Sequence, residues 1–212
     1  MKKLFLMMMA SLLMLSLPVE AQNKQLEKAR KKEYKQKKKE FEKNGWKIFG
    51  STRSIDVALL KHYEALDKAG ESAYELPGVA SSFKSKNVGK QMALNSACAY
   101  YASMAGSKLQ GRVVSDLAGD GEYSAEEFDK FYAAYKRSVE REIQGELKES
   151  FSVIREKADG TYEMQSFFIV DEDAASRARQ RAFENSRLES IAAQKYASAV
   201  SNYINESFNP NE

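Results

Sequence analysis

The chain of 212 residues has one cysteine, one histidine, one tryptophan and three prolines. Each scarcity removes a class of explanation. A single cysteine, Cys98, makes no internal disulfide, and no Cys/His cluster exists to hold a structural zinc. Cys98 stands among small and aromatic neighbours and is expected as a buried, inert thiol. With His62 alone, no local Ser-His-Asp or Cys-His motif is written into the sequence. No glycine-rich loop follows a strand-like run, so a phosphate cradle is not expected. Beyond the first residues, no apolar run is long enough to cross a membrane.

What is present begins at the N-terminus. Lys2 and Lys3 precede an unbroken run of apolar and small residues over 4–17, closed by Pro18. Val19-Glu20-Ala21 then gives a small-x-small site before Gln22. This is the anatomy of a secretory signal peptide over residues 1–21, and it predicts a periplasmic or secreted protein.

Residues 22–45 hold ten basic and four acidic side chains, a net charge of +6, whereas residues 46–212 sum to −4. The near-neutral total therefore conceals a basic arm on a mildly acidic body. The arm, NKQLEKARKKEYKQKKKEFEKNG, is predicted to be helical or flexible. Its lysines suit anionic lipid headgroups or another polyanion of the envelope. Nucleic acid is not expected, because the leader exports the chain and the arm lacks interleaved aromatics.

Residues 46–212 are expected to form a single α+β domain. WKIFGS reads as a short strand. A helix is predicted over 54–68, with His62 near its apolar face as a packed, hydrogen-bonded imidazole. AYELPGVASSF, residues 73–83, contains Pro77-Gly78 and is expected to be two extended pieces around a turn. A small-residue-rich helix is predicted over 87–109, a brief strand over 112–115, and a further helix over 125–143. ELKESFSVIRE and TYEMQSFFIV around ADG read as a β-hairpin. On the first strand Leu147, Phe151 and Val153 are assigned to one face. On the second, Phe167 and Ile169 oppose Tyr162, Met164, Phe168 and Val170, which predicts cover on both sides near the hairpin's end. A final helix, capped by Asp171 or Asp173, is expected to reach about residue 207. Its Arg177, Arg179, Arg181 and Arg187 are assigned to a solvated face, or to a clamp for an anion. The expected fold is a small, mostly antiparallel sheet with helices packed on one face and a long C-terminal helix.

One stretch carries a chemical motif. In SDLAGDGEYSAEEF, a calcium loop would place Asp116, Asp120, Glu122, Ser124 and Glu127 as ligands, with Gly121 at the bend. Ala118 stands where a third side-chain oxygen belongs, and the preceding GRVVSD reads as strand or loop rather than as an entering helix. Ser124-Ala125-Glu126-Glu127 is also a capping box, which explains the same residues as the start of a helix. No cofactor and no catalytic residue is expected.

The Trp-led strand ending at Gly50, the Ala-rich NVGKQMALNSACAYYASMAGSKL, the strands GELKESFSVIRE and TYEMQSFFIV and the helix opening DEDAASRARQRAFE together resemble a known pattern. It is that of the small envelope lipoproteins of bacterial outer membranes and of the related N-terminal domain of a flagellar assembly protein. The resemblance covers roughly residues 46–170. It implies an Ala-rich helix on a small sheet and a structural or accessory role in the envelope. The chain departs from the lipoproteins by lacking the lipid-bearing cysteine. The expectation is an exported, non-enzymatic cell-envelope protein that binds an envelope protein or an anionic envelope surface. The alternatives are a calcium-dependent adhesion or sensing module, and an enzyme whose site is assembled from dispersed residues.

Overall fold

The computed structural model describes residues 19–70, 72–117 and 125–189. The chain divides into two compact units, Met1–Asn44 and Gly45–Glu212. The described part of the first unit is one helix, α1 (Val19–Lys43). Its Lys, Glu, Gln and Arg residues lose little rotamer freedom in a helix, and neither Gly nor Pro interrupts it.

The second unit runs β1 (Lys47–Phe49), α2 (Ile55–Ala69), β2 (Tyr74–Phe83), α3 (Lys86–Leu117), α4 (Ala125–Gln144), β3 (Lys148–Glu156), β4 (Tyr162–Val170) and α5 (Glu172–Glu189). The strands form one antiparallel sheet in the order β1-β3-β4-β2. This is the expected α+β class. No described helix is long and apolar enough to cross a membrane.

Three local expectations are corrected. The segment around Pro77-Gly78 does not turn; it lies inside the continuous ten-residue strand β2. Proline is tolerated there because β2 pairs only with β4, and an edge strand has one row of N–H groups with no partner to lose. The segment over 112–115 is helical, since α3 continues through Leu117. A helix already under way gains a hydrogen bond with each added residue, whereas a four-residue strand would need a free sheet edge. The third correction concerns β3. Glu149 pairs with Phe168 and Phe151 with Phe167, so Ser150 is an extra, bulged residue. The bulge inverts the alternation. Leu147 joins the cluster beneath α3 to α5, while Phe151 turns to the opposite face.

The helix layer expected on one face is present. α3 lies against β2 and β4, α4 packs on α3, and α5 packs on α4. Tyr74, Leu76, Phe168 and Val170 from the sheet meet Ala97, Tyr101, Ala105, Tyr135, Val139, Ala178 and Ala182 from the helices in one core. Close approach is set by Gly78: a Cβ there would stand 2.0 Å from the backbone oxygen of Ala93 in α3. The double cover expected for the hairpin is supplied by α2, whose His62 meets Phe151 and Phe167 on the other face. The final helix is described to Glu189; its expected extension to about residue 207 lies outside the described residues.

Candidate functional site

The body brings chemistry together in three places, and α1 adds a fourth. The first is buried. Arg179 and Glu172 sit seven residues apart on α5, two turns along one face, and both point into the core. Arg179 donates to Tyr101 Oη at 2.7 Å and to Glu172 Oε1 at 2.5 Å, and Tyr74 Oη donates to Glu172 Oε2 at 2.7 Å. Burial pushes the Tyr101 phenol up to about 12, against the pull of Arg179. Burial, and then the hydrogen bond to Glu172, raise Tyr74 further. Burial would lower the Arg179 guanidinium, but Tyr101 and Glu172 outweigh it and hold its pKa above the ordinary value. The cluster fastens α5 to α3 and β2.

Arg179 therefore does not belong to a solvated face. Its neighbours do not form an anion clamp either. Arg181 donates to Glu142 and Glu146 at 2.8 and 2.7 Å, Arg177 lies 3.6 Å from Glu146, and Arg187 lies 2.9 Å from Glu184. Carboxylates of α4, of the turn that follows it and of α5 already claim these cations.

The second place surrounds His62. The ring is fully buried, as a packed imidazole should be. Its Nδ1 lies 3.0 Å from Ser150 Oγ, on the bulge of β3. Its Nε2 lies 3.2 Å from Glu75 Oε1 on β2, with the carboxylate off the N–H line, so that attraction is electrostatic rather than a formed hydrogen bond. Phe151, Phe167 and Tyr63 pack edge-on around the ring. Half-buried Ser150 opens onto a cleft of about 390 Å³ between α2 and the ends of β3 and β4. Ala65 and Ile169 line it together with Lys68, Lys148 and Asp171. Positions 62, 75 and 150 are too far apart in sequence to suggest this grouping. Only the bulge turns Ser150 toward α2, and the sequence carries no mark of it.

The third place is the acidic stretch. Asp116 falls in the last turn of α3 and Glu127 in the first turn of α4. Asp120, Glu122 and Ser124 lie outside the described residues, as do the side chains of Asp116 and Glu127. Among the described residues, no group of three or more His, Cys, Asp or Glu side chains is placed to hold a metal. Cys98 is buried, and burial pushes its thiol up to about 11, which leaves it protonated and unreactive.

The fourth lies on α1. Lys28, Lys32, Lys35, Lys39 and Lys43 recur at intervals of three and four residues, and all five are exposed. At ~100° per residue they fall within one narrow stripe about 22 Å long. Lys38, off that stripe, pairs with Glu42 at 3.7 Å. None of the five stripe lysines has a carboxylate within ion-pair distance among the described residues. Comparison of the chain with known protein families, curated proteins and solved structures finds no match.

Proposed function

We propose that the chain is exported and serves in the bacterial cell envelope as a binding protein, held to an anionic envelope surface by the lysine stripe of α1. The stripe is the observation that carries this reading. Five exposed ammonium groups on one side of a helix form a row of positive charge with no carboxylate in ion-pair range among the described residues. Such a row is attracted to anionic headgroups by about 1 kcal/mol per lysine near the surface, and salt weakens it. The leader-like first residues and the absence of any described helix fit to span a membrane agree with peripheral attachment. The α+β body would then be the part presented to an envelope partner.

Co-sedimentation of the full chain with phosphatidylglycerol-containing and purely zwitterionic vesicles tests this. Binding is expected only to the anionic vesicles, and it should weaken steeply with salt. Replacing the five lysines by glutamine should lower the affinity at least a hundredfold, as five terms of roughly 1 kcal/mol imply. Equal binding to both vesicle types, or an unchanged affinity in the variant, overturns it.

A second reading gains support from one correction. Helix α3 runs to Leu117 and α4 begins at Ala125, so Asp116 closes an entering helix and the tenth loop position opens a leaving one. That is the arrangement a calcium loop requires, and the sequence argued against its first half. Calorimetric titration with calcium, beside Glu127→Gln, decides it. Heat that saturates and vanishes in the variant supports a site, and no heat at millimolar calcium leaves a helix cap.

A further inference from the structure

The cleft beside His62 has the parts of a nucleophilic site. The first is the bulge. An extra residue in β3 interrupts the pairing with β4, and that interruption turns Ser150 to the side where His62 lies. The second is the tautomer. The Glu75 carboxylate beside Nε2 favours the ring proton on that nitrogen, which leaves Nδ1 to accept from the Ser150 hydroxyl. The third is access. The imidazole has no exposed surface of its own and meets the cleft only through Ser150, which is half-buried and lines it. The fourth is the lining. Ala65, Ala69 and Ile169 offer an apolar floor for a short chain, and the charged side chains around it, Lys68, Lys148, Glu149 and Asp171, are of both signs, with Lys68 bound to Glu64 and Lys148 beside Asp171.

We propose that Ser150 is a nucleophile activated by His62, with Glu75 as the positioning residue, and that the cleft takes a short acyl ester. This goes beyond the binding role and does not depend on it. In the step, Ser150 Oγ attacks the ester carbonyl carbon while its proton passes to His62 Nδ1. The ester C–O bond then breaks, and the leaving alkoxide takes that proton from His62. Water reverses the sequence. It gives a proton to Nδ1 as its oxygen attacks the acyl carbon, the bond to Oγ breaks, and the proton returns to Ser150. No oxidant, metal or further reactant is needed.

The full chain incubated with p-nitrophenyl acetate supplies the test. Release of p-nitrophenolate, the mass gain of one acetyl group and its position by peptide mapping are read together. Wild type is expected to carry the acetyl group on Ser150. Ser150→Ala should lose it, and His62→Gln should slow release at least ~100-fold. Because a buried histidine variant is prone to misfold, Glu75→Gln provides the independent check, since this side chain is 29% exposed. It should slow acylation about tenfold with an unchanged melting temperature. It should lower kcat while leaving KM unchanged, as loss of a group that orients the base without touching the ester requires. Acetylation confined to lysines, equal release by Ser150→Ala, or a Glu75→Gln protein with unaltered kcat overturns the proposal.

Discussion

The two faces of the sheet solve the same burial problem in opposite ways. On the face under α3, α4 and α5, small residues bring helix and strand into near contact, and Arg179, Glu172, Tyr74 and Tyr101, enclosed there, are tied to one another. On the other face α2 covers β3 and β4 but not all of β2, where Val79 is 58% exposed. The polar groups enclosed there, His62 and Ser150, lead out to a cleft. A layer sealed on all sides serves stability, because any loss leaves a buried group without its partner. A layer left open at its edge can expose a hydroxyl to solvent without unfolding. The difference should appear as a difference in what substitutions cost.

The largest cost is expected at Arg179. Arg179→Ala leaves Glu172 buried with an uncompensated charge and removes the donor to Tyr101. Breaking one side of a buried ion pair costs about 3–5 kcal/mol. Urea unfolding should show a loss in that range, a large share of the stability of a typical domain. Arg179→Met fills similar volume with no charge, and it should recover part of the loss only when Glu172→Gln is added. If the double variant is no better than the single, the network is not the reason for the cost.

Gly78→Ala probes the same face through backbone contact. The added methyl would meet the Ala93 carbonyl at 2.0 Å and the Ala97 Cβ at 3.3 Å, so α3 must move as a body. Overpacking of this kind costs about 2–3 kcal/mol, and the melting temperature should fall accordingly. An unchanged melting temperature would mean that α3 is not held closely against β2.

Much of this architecture was legible in the residues. The apolar spacing of α2, the small residues of α3 and the two β-rich runs gave the element types, because each is a periodic pattern over many positions. Pro77 misled because proline breaks a central strand but not an edge one, and edge position is a property of the whole sheet. Residues 112–115 are helical although Val113 and Val114 suit a strand, because α3 continues through Leu117 and local preference yields to that continuation. Arg179 was unreadable for a similar reason. Arginine defaults to the surface, and its burial here rests on Glu172 two turns away and on Tyr101 of α3, with Tyr74 of β2 holding Glu172 in turn. The pairing of Ser150 with His62 depended on a single inserted residue, and no period records that.

The smallest of these effects sits where the two faces meet. Asp171 follows β4, caps α5 on the closed face and lines the cleft on the open one. Its Oδ1 accepts from the Ala174 N–H at 2.8 Å, and Oδ2 lies 3.6 Å from Lys148 Nζ. The cap hydrogen bond first, and Lys148 after it, hold the carboxyl below its ordinary pKa although partial burial opposes them. A carboxyl depressed in the folded state adds stability above its unfolded pKa of about 3.9, and that stability is lost as pH falls through the lower folded value. The side chain is 39% exposed, so solvent screens the charge and the cap geometry carries most of the effect. Asp171→Ala should therefore cost about 1 kcal/mol in urea unfolding at neutral pH, and the gap should narrow below pH ~4. Asp171→Asn keeps a capping oxygen and loses the charge. It should cost only a few tenths of a kcal/mol at neutral pH and show almost no change with acid. If Asn proves as costly as Ala, the ion pair across the cleft rather than the cap ties the two faces together at this point.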